Sequence, residues 1–246
     1  MFQLDYSKFK ILNLFKSALI SITIISCPGY SNEKAAQFDE SKLSSLVDDL
    51  LAGGHLIIIR HAQKYEQGPD APPVRKAFDT ADASLVNPIT VPEEFQNDGL
   101  GMCLTRLGKA NAWLYGEVFR QLNLPVYKVL VSATCRTRQH ARIMFPNSDN
   151  VQIEPSLVFG DVTSVSQIQA THLAKVRLIQ ENFSKEANLV VIAHGKTAQE
   201  IGLVNFWPKQ GEALIFGLNE ESKQLVLKAH LSTKDFVLML PQKTDW

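Results

Sequence analysis

A run of large apolar residues, Leu56-Ile57-Ile58-Ile59, stops abruptly on the pair Arg60-His61. Four such residues with no polar alternation fit a strand buried on both faces, as in a parallel sheet covered by helices above and below. Ligands of such sheets bind beyond the carboxyl ends of the strands. A guanidinium and an imidazole at this strand end therefore sit where a ligand would bind. The residue types suit a phosphate ester, because Arg binds the oxyanion while His can attack phosphorus or move a proton. On its own the pair is equally compatible with two polar residues at a sheet rim.

The chain has 246 residues, 45% of them hydrophobic and 20% charged, enough to bury the core of one large α/β domain or two small ones. Lys plus Arg equals Asp plus Glu at 25 each. That balance excludes the marked basic excess of a nucleic-acid binder, and no nucleic-acid partner is expected.

The N-terminus reads as a targeting segment rather than part of the fold. Lys8, Lys10 and Lys16 precede an uncharged, largely apolar stretch over residues 17–26, followed by Cys27-Pro28-Gly29. Basic residues, a short apolar region and small residues at its end describe a bacterial secretory signal. Residues 1–27 are assigned as a cleaved signal peptide, an uncleaved anchor or, with Cys27 as acceptor, a lipid attachment site. Export to the periplasm or membrane anchoring in the bacterial envelope is the expectation, with any membrane association made through this segment. Residues 28–40 form a polar linker, and residues 41–246 a single domain. Two further cysteines, Cys103 and Cys135, could pair in an oxidising compartment or stay as two small buried thiols.

Along the domain, apolar residues at helical spacing over 41–51 predict a helix ended by Gly53-Gly54, before the strand that reaches Arg60. Residues 64–100 contain five prolines and no sustained period, and are expected to form a long functional insertion. Thr105 is placed to cap a helix through about Leu122, with Ala110, Trp113, Leu114, Val118 and Phe119 as its inner stripe. Strands are predicted over 126–131, 151–153 and 188–193, helices after Thr134 and over 165–183, and a closing strand pair over 212–218 and 224–229. Alternating strands and helices predict a three-layer α/β/α sandwich with a mostly parallel central sheet.

Three predicted strands end on the same kind of chemistry. The first ends in Arg60-His61, the second leads through Ser132-Ala133-Thr134-Cys135 to Arg136, and the third ends in His194-Gly195. In a parallel sheet these termini share one edge, gathering two guanidiniums and two imidazoles. Such a cluster is costly without an anion, and a phosphoryl dianion meets the need. The helix entered at Thr134 adds the positive end of its dipole.

At these residues the chain resembles the histidine phosphatase superfamily, the phosphoglycerate-mutase-like fold. Arg60-His61-Ala62 matches the Arg-His-Gly/Ala signature. Ser132 with Arg136-Thr137-Arg138-Gln139-His140-Ala141 matches the Ser-x-x-x-Arg-Ala-x-Gln-Thr-Ala segment. Val190-Val191-Ile192-Ala193-His194-Gly195 matches the strand of the second histidine, and Leu104-Thr105-x-x-Gly108 the entry to the intervening helix. The matches keep the family's order across residues 55–218. Lys64 and His140 stand where the family often has Thr.

The resemblance implies a phosphomonoesterase that needs no metal or other cofactor and acts on a small phosphorylated substrate. His61 would be the nucleophile, and Arg60, Arg136 and His194 would hold the phosphoryl oxygens. The family's usual acid position falls on Phe159, so Asp161 is the candidate proton donor and Glu154 the second. Among exported relatives, the chain resembles lipopolysaccharide core heptose-phosphate phosphatases in its N-terminus, its Arg-His-Ala and its Cys103-Leu104. The competing class is a non-catalytic phosphate- or glycan-binding envelope protein on the same fold.

Overall fold

The computed structural model describes residues 40–64, 103–146, 148–158 and 165–240. Residues 1–27, nearly all of the 28–40 linker, the insertion after Lys64 and Asp161 lie outside the described residues.

A six-stranded sheet in the order β3-β2-β4-β1-β5-β6 forms the middle layer. Strand β1 is His55–Arg60, β2 Val126–Ser132, β3 Val151–Glu154, β4 Asn188–Ala193, β5 Ala213–Asn219 and β6 Gln224–Leu231. Strands β3, β2, β4 and β1 are parallel, and β5 pairs antiparallel with both β1 and β6. The helices are α1 (Glu40–Ala52), α2 (Arg106–Gln121), α3 (Cys135–Met144), α4 (Val165–Asn182), α5 (Thr197–Glu200) and α6 (Thr233–Val237).

Burial on both sheet faces explains the uninterrupted apolar runs. Ile57 and Ile59 of β1 join Val190 and Ile192 of β4 in a core under Leu46 and Leu50 of α1, Tyr115 and Phe119 of α2 and Phe236 of α6. Leu56 and Ile58, one residue out of phase, join Leu189 and Val191 in the opposite core, against Ile179 of α4. The period of two thus sends every central strand's residues alternately into two cores, giving the expected three layers. Each fully buried Leu or Ile contributes roughly 1.5–3 kcal/mol. At the edge opposite the ligand-binding end, Asn188 clips the layers together: its amide donates to the Leu50 carbonyl at 2.7 Å and accepts from the His55 N–H at 3.2 Å.

One sequence expectation is corrected here. Helix α2 begins after Thr105, whose hydroxyl accepts from the Gly108 N–H at 3.0 Å, but its buried face is Gly108, Ala112, Tyr115, Gly116, Val118 and Phe119. Trp113 and Ala110 face solvent and Leu114 is only partly buried. The true face includes two glycines and a tyrosine, which a count of apolar residues overlooks. The small residues permit close approach: a Cβ on Gly108 would lie 2.0 Å from the Gln63 carbonyl oxygen. The short helices α5 and α6 carried no periodic signal and were not anticipated.

Cys103 and Cys135 form a disulfide with their Cα atoms 5.0 Å apart, closing 32 residues of sequence. It ties the chain that follows the insertion to the first turn of α3. A crosslink of this span contributes about 3–4 kcal/mol in the chain-entropy account.

Two outcomes are expected. Denatured, unreduced full-length chain titrates one free thiol, Cys27, and three after reduction; three before reduction would remove the disulfide. Gly108→Ala, a substitution that gains about 1 kcal/mol in an ordinary helix interior, instead destabilises by roughly 1–3 kcal/mol because the added methyl meets backbone. A denaturation midpoint at or above wild type would contradict that close approach.

Candidate active site

Because β1, β2 and β4 are parallel, their C-terminal ends share one edge: Arg60 pairs with Ala193, and Val131 with Ile192. The chain leaving those ends carries His61, Arg136 and His194, and the structure brings all three together with Arg60.

His61 is buried, and its N–H donates to the Ala193 carbonyl at 3.0 Å. Its Nδ1 lies 2.9 Å from the Ala62 carbonyl oxygen. A carbonyl can only accept, so Nδ1 carries the proton and Nε2 holds a lone pair. Burial, then the Arg136 cation, with smaller contributions from His194 and Arg60, pushes the His61 pKa down to about 2. The ring is neutral and of defined tautomer.

His194 stands edge-on to His61, ring centroids 5.6 Å apart. Its Nδ1 is 3.3 Å from Arg136 Nη2, which can only donate, so Nε2–H donates to Ser132 Oγ at 2.8 Å. Burial first, then Arg136, Lys175 and Arg60, holds its pKa well below the usual imidazole value.

The two guanidiniums are held differently. Arg60 Nη1 donates to the Pro208 carbonyl at 2.7 Å, and the group lies flat against Gly195, where a Cβ would come within 3.1 Å of it. Arg136 is 9% exposed, and burial followed by Arg60 lowers its pKa to about 10, so it stays cationic at neutrality. Arg60 Nε and Arg136 Nε and Nη1 are buried donors with no hydrogen-bond acceptor among the described residues. Among the described residues neither guanidinium pairs with a carboxylate; Glu212, which interacts with Arg60 electrostatically, bonds His230 Nε2 at 2.7 Å. Two cations, two neutral imidazoles and orphaned N–H groups make a receptor for a compact oxyanion.

The remaining candidates are placed less centrally. Glu154 ends β3, where burial raises its pKa, and its carboxylate bonds the Gln152 amide on the same strand rather than the four site side chains. Lys64 forms an isolated antiparallel bridge with Leu104. Among the described residues no three His, Cys, Asp and Glu side chains are grouped to hold a metal ion. An open cleft of about 510 Å³ adjoins Arg60, lined by Gln63, Leu107, Asn111, Lys209 and Gln210.

Among the supporting residues, Gly211 and Lys175 carry no sequence signal, and His140 only its departure from the resembling family's motif. Gly211 donates its N–H to the carbonyls of Arg60 and His61 at 3.3 and 3.2 Å, and its own carbonyl accepts from Tyr115 Oη at 2.8 Å. His140 is fully buried, with Nδ1 accepting from the Ala62 N–H at 3.2 Å, Nε2 unpartnered among the described residues, and a pKa pushed down by burial to about 3. Lys175, 1% exposed, pairs with Glu200 behind His194.

No protein-family model and no curated protein sequence matches the chain. Solved structures similar to it include the protein histidine phosphatase SixA complexed with tungstate, at 14% identity over 74% of this chain and 98% of that one, with a TM-score of 0.47. The alpha-ribazole phosphatase from Shigella flexneri is 17% identical over 73% and 96% of the two chains, TM-score 0.45. The phosphoserine phosphatase from Entamoeba histolytica in complex with 3-phosphoglyceric acid is 14% identical over 74% and 98%, TM-score 0.48. At these scores the likenesses carry no part of the functional reading, which rests on the site's own geometry.

The depressed histidines set a pH dependence of stability. His61, His140 and His194 are neutral in the fold but titrate near 6.5 when unfolded. Below that value the unfolded chain binds more protons, so stability falls as pH drops from 6.5 toward 3, by roughly 1.4 kcal/mol per pH unit per histidine. Urea unfolding between pH 7.5 and 5 reads this slope. His140→Asn is expected to unfold with about one proton fewer taken up, and an unchanged slope in that variant would reject the neutral, buried His140.

Proposed function

We propose that this chain is an exported phosphomonoesterase that works through a phosphohistidine on His61. The observation that carries the reading is the neutral His61, its proton committed to the Ala62 carbonyl and its Nε2 lone pair available, beside the buried Arg136 and half-buried Arg60, which pair with no carboxylate among the described residues and keep buried N–H donors unused there. Nucleophile and oxyanion clamp occupy one sheet edge.

The steps balance without a metal or other cofactor. His61 Nε2 attacks phosphorus in line, a P–N bond forms and the ester P–O bond breaks. Arg60, Arg136 and His194 hold the non-bridging oxygens. Burial and then the neighbouring cations depress His194; the bound phosphoryl group offsets the cations, so His194 Nδ1 takes a proton from the substrate's monoanion and shares it back as a hydrogen-bond donor to that oxygen as Arg136 turns to the phosphoryl group. Asp161 protonates the leaving oxygen and then, as a carboxylate, takes a proton from the water that attacks the phosphohistidine. The P–N bond breaks and inorganic phosphate departs.

The Cys103–Cys135 disulfide supports export, because such bonds persist in oxidising compartments. Among the described residues no helix is long and apolar enough to cross a membrane, so anchoring or lipidation is assigned to residues 1–27. The substrate is a small phosphate monoester whose leaving group occupies the cleft beside Arg60, and lipopolysaccharide heptose phosphates are one class to include in a substrate panel.

Turnover of an activated aryl phosphate in the presence of a chelator tests the reading. Wild type releases phosphate, and His61→Ala does not. Arg136→Ala loses about 10²–10³ in kcat, as for removal of one oxyanion donor, and binds vanadate more weakly. Wild-type release no greater than that of His61→Ala would leave the phosphate- or glycan-binding protein instead. Asp161→Asn slows alkyl phosphates far more than activated aryl phosphates, and a uniform effect would remove Asp161 as the acid.

A further inference from the structure

We propose that His140 is a positioning residue for phosphoryl transfer, holding Ala62 so that His61 keeps its proton on Nδ1 and its lone pair on Nε2. The proposal rests on the phosphatase reading above and adds a residue that does not touch the substrate.

Residue 62 is clamped from both of its peptide groups. Its carbonyl accepts from His61 Nδ1 at 2.9 Å, and its N–H donates to His140 Nδ1 at 3.2 Å. Without the second bond the 61–62 peptide keeps only the Gly211 N–H on its carbonyl, and its own N–H becomes a buried donor lacking an acceptor. Residue 62 can then turn about its Cα toward another acceptor, which moves the carbonyl that selects the His61 tautomer. His140 accepts only while Nδ1 is unprotonated, so its proton sits on Nε2, fully buried and without a partner among the described residues. For packing alone an imidazole is a poor choice here, since an apolar side chain of similar shape leaves no unpaired donor. What the imidazole provides is the bond to Ala62.

The bond also sets a distance that matters to catalysis. Arg136 and His140 are four residues apart on α3, hence on one helical face. Through His140 the peptide beside the nucleophile is tied to the helix that presents the phosphate clamp. That helix is itself held by Gln139 Oε1 accepting from the Leu104 N–H at 2.8 Å and by the Cys103–Cys135 disulfide. Behind His140, with ring centroids 5.9 Å apart, Tyr115 is anchored to Gly211, which in turn bonds the Arg60 and His61 carbonyls. Nucleophile, clamp and strand end thus close into one network, and displacement of a reacting group by about 1 Å costs on the order of 10²-fold in rate.

The test compares His140→Phe, which keeps an aromatic ring but no acceptor, with His140→Asn, whose Oδ1 can take the place of Nδ1. On an aryl phosphate the phenylalanine variant is expected to lose about 10–100-fold in kcat. KM and inhibition by inorganic phosphate should change less than about twofold, and the asparagine variant should recover most of the loss. Equal kcat in His140→Phe and wild type, an equal loss in both variants, or a loss that follows phosphate binding would overturn the proposal. Should His140→Phe not fold, His140→Leu replaces it.

Imidazole ¹⁵N spectra give a readout independent of turnover. Wild-type His61 should be the single Nδ1–H tautomer, and the acceptor-free variant a mixture; a wild-type Nε2–H tautomer, or no change in the variant, refutes the positioning role. If wild type hydrolyses nothing, the phosphatase reading falls and these spectra still decide whether His140 orders His61.

Discussion

A buried Arg136 beside a half-buried Arg60 at the end of a sheet, with no carboxylate among the described residues paired to either, imposes the requirement around which the rest of this structure is arranged. Desolvating the Arg136 cation costs roughly several kcal/mol even after relaxation, and like charges worsen it: Arg60 is among the causes that depress Arg136. The fold meets the cost with fixed dipoles rather than counter-charges. Arg60 donates to the Pro208 carbonyl, Arg136 donates to a histidine nitrogen, and both neighbouring imidazoles are kept neutral. A carboxylate would have satisfied the cations more cheaply, and would have occupied the place of an oxyanion.

Parallel pairing makes this arrangement cheap to build. Once β1, β2 and β4 are in register, their three ends cannot avoid one another. Only the first few residues beyond each strand then need specifying. Gly195 is one of these, because a Cβ there would come within 3.1 Å of the Arg60 guanidinium and press on it. Ser132 is another, since its hydroxyl accepts the His194 proton and so leaves Nδ1 facing Arg136. The loop from Pro208 to Glu212 completes the clamp with backbone groups alone, accepting from the Arg60 side chain and N–H and donating to the Arg60 and His61 carbonyls.

That division explains what was legible in the sequence. Strand runs such as Leu56 to Ile59 announce themselves because both faces are buried, and Arg60, His61, Arg136 and His194 are legible because they interrupt or closely follow such runs. The face of α2 was misread because its packing depends on Gly108, Ala112 and Gly116, which contribute closeness rather than apolar area. Pro208 and Gly211 were invisible because they act through backbone atoms, which every residue type shares. Cys103 and Cys135 could be noticed but not paired, since a bridge depends on a Cα separation that only the packing of α3 supplies. The acid proposed at Asp161 is weakly marked in the sequence because the resembling family's usual acid position falls on Phe159.

His140 is the case where a departure from the resembling family's motif has a structural meaning. At that position a hydroxyl side chain has a shorter reach than an imidazole, and here the imidazole spans from α3 to the Ala62 N–H. The substitution brings a second burden, because His140 must remain neutral, like His61 and His194, for its nitrogen to accept. Three neutral histidines within one sheet edge make the folded state vulnerable to acid in the range where phosphate monoesters themselves gain a proton. An anion in the site opposes that vulnerability at His61 and His194, which adjoin the guanidiniums, but not at His140, whose pKa is lowered by burial alone. Occupancy of the site by an anion and the Ala62–His140 bond are therefore separable in their response to pH, although Arg136 and His140 share one helix.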